Sequence, residues 1–188
     1  MEEKLRQNPS DCIKVVLFGP ESTGKSTLAK QLAEQYNTVF VPEYSRIYAE
    51  AKLLQNRTLT KNDVLPIAKG QMQLENEAAP KANELLICDT DLLETKVYSE
   101  SYYHGFCHPL LEKFAIENTY DLYFLTYIDI PWEADDLRDR PNDREVMFEA
   151  FESALKKYNR PYVVLKGSME ERFKTSKGHI DELLKLKV

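Results

Sequence analysis

The chain has 188 residues, 43% of them hydrophobic, which fits one domain with a core and leaves little for a second. Its 25 Lys and Arg against 31 Asp and Glu give a net charge of −6. That argues against a general nucleic-acid binder, because neutralising phosphates takes a basic surplus. No apolar run approaches the roughly 20 residues that span a bilayer, and the opening MEEKLRQNPSD has no signal-peptide core. Cys12, Cys88 and Cys107 sit at no metal or redox spacing, which fits reduced thiols. The expectation is a cytoplasmic protein without nucleic-acid or membrane partners. Oligomeric state is not legible.

Residues 1–12 are polar and expected to be flexible. IKVVLF at 13–18 reads as a buried strand, followed by a glycine-bounded loop and a helix from about Lys25 to Tyr36. VFV at 39–41 is a second strand, stopped by Pro42. Residues 44–55 and 61–79 read as helical. LLIC at 85–88 is a third strand, with helices over 91–103 and 109–118 after it. LYFLTYI at 122–128 is a fourth strand and YVVL at 162–165 a fifth. Between these two lie a charged loop and a helix with Met147, Phe151, Leu155 and Tyr158 at core spacing. A last helix, 168–186, starts with Ser168 as N-cap. Alternating strands and helices predict an α/β three-layer sandwich around a mostly parallel five-stranded sheet, one domain over 13–188. Ligands then bind at the carboxyl ends of the strands.

GPESTGKS at 19–26 fits G-x-x-x-x-G-K-[ST] at every fixed position, after a strand and opening a helix. The glycines Gly19 and Gly24 let backbone N–H groups converge on phosphate oxygens, and the helix adds its positive end. Lys25 reaches the β- and γ-phosphates, and Ser26 offers a hydroxyl to Mg²⁺. Glu21, Ser22, Thr23 and Thr27 complete the candidate nucleotide set, Thr27 with no role beyond continuing the helix. Asp89, at the end of the third strand, is the second candidate Mg²⁺ ligand. Asp91 reads as a helix cap.

The phosphate loop does not say how the triphosphate is used. No guanine-reading N-K-x-D and no switch D-x-x-G are present, and a small-molecule kinase suits the length. DDLRDRPNDRE, within a lid at about 131–145, places Arg138, Arg140 and Arg144 after the fourth strand. Guanidinium groups there suit the charge spread over the γ-phosphoryl oxygens, and a closing lid excludes water. Glu43 follows the second strand and can orient an acceptor hydroxyl or take its proton, with Arg46 near as its possible ion-pair partner. Trp132, beside Glu133, Asp135 and Asp136, suits a flat cationic ring, although a lone Trp is more often a packing anchor. His104 and His108 read as structural.

GPESTGKSTL, VPEYSR, CDTDLLETKVYSE, YDLYFLTYIDIPWEADDLRD with the trailing Arg144, and Gly167 to Arg172 together resemble the NadR-type ribosylnicotinamide kinase domain, an AAA_28-like branch of the P-loop NTPases. The resemblance runs from about residue 13 to the end. PEYSR and DIPWEADDLRD are its specific parts, because the phosphate loop is shared by many unrelated proteins. It implies a fold like nucleoside and nucleotide monophosphate kinases, and ATP- and Mg²⁺-dependent phosphorylation of the 5′-hydroxyl of nicotinamide riboside. It implies that Glu43, Arg46, Trp132 and Asp136 face the riboside, that Arg138, Arg140 and Arg144 form the lid, and that the GSMEER segment with Arg172 lies on the adenine side. Multidomain members also carry a helix-turn-helix and an adenylyltransferase domain. With no H-x-G-H element and a start almost at the first kinase strand, DNA binding and NAD synthesis are not expected here. The alternatives are a kinase of another nucleoside or small metabolite, and a nucleotide-binding regulatory ATPase module. Whether Glu43 or Asp89 assists the hydroxyl stays open.

Overall fold

A computed structural model of the chain describes residues 2–135, 137 and 142–187. Its strands are β1 (Ile13–Phe18), β2 (Phe40–Val41), β3 (Leu85–Asp89), β4 (Leu122–Thr126) and β5 (Tyr162–Leu165). Its helices are α1 (Lys25–Gln35), α2 (Tyr44–Leu53), α3 (Val64–Ala78), α4 (Leu92–Tyr102), α5 (Pro109–Glu117), α6 (Arg144–Lys157) and α7 (Met169–Leu186). The sheet order is β2-β3-β1-β4-β5, and every pairing is parallel.

A parallel sheet needs cover on both faces, and alternation along each strand supplies it. Val15, Leu17, Ile87 and Phe124 pack on one face against Leu28 and Leu32 of α1 and Ile180 of α7. Val16, Phe18, Cys88 and Tyr123 pack on the other against Val97 of α4 and Phe151 of α6. This is the expected three-layer α/β arrangement. The chain leaves β1 for β2 and β3 on one side and later reaches β4 and β5 on the other. The loop after β1 therefore lies at the carboxyl-end crevice where such folds bind ligands.

The expected elements hold with shifted ends. The helix expected over 61–79 starts at Val64, after a 3₁₀ turn, Lys61–Asp63, closed by a capping box between Thr60 and Asp63. The fourth strand stops at Thr126 rather than 128. Met147, Phe151 and Leu155 are core residues as their spacing requires. Ser168 caps α7 in a capping box with Glu171, Asp91 caps α4 by accepting from the Glu94 N–H at 2.9 Å, and the His108 Nδ1 accepts from the Leu110 N–H at 3.2 Å to cap α5.

The N-terminal segment departs from expectation. Glu2–Leu5 forms a 3₁₀ turn, and Leu5 is fully buried among Met72, Leu111 and Phe114. Gln7 donates through Nε2 to Glu75 at 2.8 Å, and the Asn118 side chain donates to the Leu5 carbonyl at 3.1 Å. One apolar residue and a few polar anchors dock a segment whose composition reads as frayed.

Candidate nucleotide and acceptor site

Gly19 has φ 130° and Gly24 φ 83°, conformations that side chains disfavour. Between them Ser22 takes φ 57°, and the Thr23 hydroxyl donates to the Pro20 carbonyl at 2.7 Å and shares a 2.7 Å hydrogen bond with the Thr126 hydroxyl. A Cβ on Gly19 would lie 2.8 Å from the Thr126 Oγ1, so the loop rests directly on the end of β4. Lys25 opens α1 and is buried. Its ammonium donates to the carbonyls of Gly19 at 2.6 Å and Pro20 at 3.0 Å and pairs with Glu94 at 3.2 Å.

Asp89 ends β3, almost fully buried. Its Oδ2 accepts from the Ser26 hydroxyl at 2.5 Å, while its Oδ1 has no hydrogen-bond partner among the described residues. Burial lifts the Asp89 carboxyl to about 6, and Glu43 adds to the rise against the pull of Lys25. Burial likewise pushes Glu94 upward against Lys25. Burial alone would depress the Lys25 ammonium, but Glu94, Glu43 and Asp89 outweigh it and raise its pKa. The Ser26 hydroxyl and the Asp89 carboxylate, whose Oδ1 is unpartnered among the described residues, are hard oxygen donors of the kind a magnesium ion takes. No cluster of three or more His, Cys, Asp or Glu suited to a metal occurs among the described residues. The Ser26 and Asp89 donors fit a cation that also takes phosphate oxygens.

Around these groups lies a cavity of about 600 Å³. Of the residues singled out from the sequence, Glu21 to Thr27, Glu43 and Arg46 line it; Asp89 lies beneath, bonded to Ser26. Its far wall is Tyr98, Tyr102 and Tyr103 of the α4 region, with Ile67 of α3. Glu43 accepts from the Ser45 hydroxyl at 2.5 Å. The ion pair of Arg46 is made not with Glu43 but with Asp135 at 2.9 Å and Glu50 at 3.2 Å. Arg46 and Asp135 thus join α2 to the segment after β4 across the mouth.

Three residues expected at the ligands make contacts within the chain. Pro131 and Glu133 line the cavity, but Trp132 does not. It shares a dimple with Pro20, Tyr98 and Met147, and the Arg144 guanidinium carbon lies 5.8 Å from its ring centroid. The cation it meets is its own chain's. Arg144 donates to the carbonyls of Ile130 at 2.8 Å and Ser22 at 3.2 Å, gripping the loop's outer side. Arg172, expected at the adenine, is completely buried. It donates to the carbonyls of Gly167 at 3.0 Å, Thr23 at 2.9 Å and Tyr127 at 2.9 Å, and pairs with Asp129. Its polar atoms are engaged by backbone and carboxylate, among them the loop carbonyl of Thr23. Asp136, Arg138 and Arg140 lie outside the described residues.

Sequence reasoning passed over Glu94, Thr126, Tyr98 and Gln71. Glu94 and Tyr98 stand four apart on α4, on one helical face, and that face turns toward Lys25 and the cavity. The only signal was a carboxylate in the first turn of the helix. Gln71 is buried; it accepts from the Tyr44 N–H at 2.8 Å and donates to the Pro42 carbonyl at 3.3 Å, clamping the turn that carries Glu43.

A phosphate loop at the centre of a parallel sheet, facing a chamber lined by charged and aromatic side chains, defines a nucleotide-binding α/β protein of the P-loop class. A family model described as an AAA domain, AAA_28, matches residues 14–172, and the chain belongs to that family. It is 34% identical over 155 residues to the trifunctional NAD biosynthesis/regulator protein NadR of Salmonella typhimurium, a match over 81% of this chain and 38% of that protein. The chain thus spans well under half the length of that relative. Its fold is similar to a NadR protein solved in complex with NR, with TM-score 0.73 and 24% identity over 84% of this chain and 46% of that one. It is also similar to thymidylate kinase from Ehrlichia chaffeensis, with TM-score 0.62 and 17% identity over 92% of this chain and all of that one. The fold is that of nucleoside and nucleotide monophosphate kinases. No described helix is long and apolar enough to cross a membrane.

Proposed function

We propose that the chain is an ATP-dependent kinase that transfers a phosphoryl group to the 5′-hydroxyl of nicotinamide riboside, giving nicotinamide mononucleotide. The observation that carries this reading is that one chamber holds both the phosphate loop, with Lys25 and Ser26, and the acceptor-side residues Glu43 and Arg46. A kinase needs donor and acceptor groups in one water-excluding space. The choice of acceptor is supported by the NAD-biosynthesis relative.

In this mechanism the loop amides and Lys25 hold the β- and γ-phosphates, and Lys25 exchanges its loop carbonyls for phosphate oxygens. Ser26 and Asp89 hold Mg²⁺, which supplies charge neutralisation on the transferred group when bound. Glu43, more exposed than Asp89 and Glu94, orients the acceptor hydroxyl and takes its proton. Arg138 and Arg140 of the lid complete the charge compensation.

The test is ADP release from Mg-ATP by the purified protein, with nicotinamide riboside and with a panel of uncharged nucleosides. Stimulation by the riboside with equimolar mononucleotide, abolished in Lys25→Ala, is expected. Stimulation by an uncharged nucleoside instead would discard the acceptor assignment, and stimulation by none would discard the kinase.

A further inference from the structure

The carbonyls of Gly19 and Pro20 point inward to Lys25. Those of Ser22 and Thr23 point the other way, to guanidinium groups of Arg144 and Arg172. A trans peptide holds its C=O and the following N–H antiparallel, and no peptide bond among the described residues is cis. Drawing the Thr23 carbonyl onto Arg172 therefore aims the Gly24 N–H in the opposite direction, and drawing the Ser22 carbonyl onto Arg144 does the same for the Thr23 N–H. Thr23 and Gly24 both line the cavity.

We propose that Arg172, oriented by Asp129, is a positioning residue that aims the phosphate-loop amides at the nucleotide from behind the loop, with Arg144 as its counterpart one peptide earlier. Arg172 does not touch the nucleotide. Its Nε holds the Gly167 carbonyl, one Nη holds Thr23, and the other reaches both the Tyr127 carbonyl and Asp129. Asp129 Oδ2 in turn accepts from the Gly167 N–H at 2.7 Å. One planar group thereby ties together the phosphate loop, the end of β4 and the turn before α7. Only a guanidinium offers enough donors in a fixed fork to do this; a lysine offers a point charge. Met169 adds contact from the same turn, for a Cβ on Gly24 would lie 2.8 Å from its sulfur. Hydrogen bonds from charged groups are about twice as strong as neutral ones, so the arrangement is stiff enough to hold a peptide plane.

The proposal rests on the phosphate loop and not on the acceptor, so it is tested by direct binding of Mg·ADP and Mg·AMP-PNP without any acceptor. Failure of the kinase reading leaves this measurement intact. Arg172→Lys is expected to weaken both nucleotides by at least about tenfold, equivalent to about 1.4 kcal/mol. Where turnover is measurable, the ATP KM should rise while the acceptor KM holds. Asp129→Asn, at a part-exposed site, is expected to weaken binding severalfold and serves if Arg172→Lys does not fold. A folded Arg172→Lys protein, or failing that a folded Asp129→Asn protein, with nucleotide affinity within twofold of wild type overturns the proposal. So does a variant whose acceptor KM rises as much as its ATP KM.

Discussion

Gly70 sits in the interior of α3 with an ordinary helical backbone, where alanine normally stabilises by about 0.8–1.0 kcal/mol. Here a Cβ would fall 2.0 Å from the Tyr44 ring, and overpacking a fitted contact costs about 1–3 kcal/mol. The clash wins, and Tyr44 must leave. Tyr44 is the first residue of α2, directly after Glu43, and its N–H is held by Gln71. Gly70→Ala is therefore expected to raise the acceptor KM severalfold with less change in the ATP KM, read by steady-state kinetics in both substrates. Equal rises would place Tyr44 outside acceptor positioning. The same reasoning separates the two kinds of glycine in the chain. Gly19 and Gly24 are read from the loop pattern, while Gly70 carries no local signal, because the side chain that requires it lies 26 positions upstream at Tyr44.

The start of α3 shows what an element's cap contributes. Asp63 accepts from the Thr60 N–H at 2.8 Å, the Thr60 hydroxyl at 2.9 Å and the Tyr48 hydroxyl at 2.9 Å, and pairs with Lys52 at 2.8 Å. Burial works to raise its pKa, but Lys52, Thr60 and Tyr48 outweigh it and hold the carboxyl well below its usual 3.8. A carboxyl depressed in the folded state adds stability above its unfolded pKa, and that stability is lost as pH falls through the folded value. Asp63→Asn is thus expected to be less stable than wild type at neutral pH by about 1–2 kcal/mol. The gap should close as pH drops below about 4, where the unfolded carboxyl protonates. Urea titrations along a pH series read this; a constant gap would remove the ionised carboxylate from the account. The cap also joins α2 to α3 through Tyr48 and Lys52, fixing one wall of the chamber.

At the scale of the whole molecule, the site is assembled from pieces after β1, β2, β3 and β4, with α4 as its far wall. The opposite end of the sheet is closed by the N-terminal segment. Leu5 fills a pocket between α3 and α5, and the buried Lys14–Glu75 pair at 3.0 Å, with the Tyr120 hydroxyl on Glu75 at 2.7 Å, lies beneath it. Leu5→Ala is expected to cost about 2–4 kcal/mol and to leave the ATP KM unchanged, since no phosphate-loop residue belongs to its core cluster. Chemical denaturation and kinetics together check this. An altered ATP KM would show that the two ends of the sheet are coupled.

The phosphate loop, the strand series and the partner carboxylate Asp89 were legible in the sequence because each is a local pattern. Eight contiguous residues specify a phosphate cradle, apolar runs specify strands, and a carboxylate at a strand end is placed by the strand itself. The fold class followed, since alternating strands and helices leave few arrangements that cover both faces of a parallel sheet. What only the tertiary structure decided is which side chains meet. The resemblance put Trp132, Arg144 and Arg172 at the ligands. The folded chain turns Trp132 onto Arg144, and both arginines onto the loop carbonyls of Ser22 and Thr23. Glu94 became the partner of Lys25 across 69 positions of chain, and Arg172 reached Thr23 across 149. Contacts of that separation depend on the strand order and on the pitch of helices packed upon it, and no spacing within a segment encodes them.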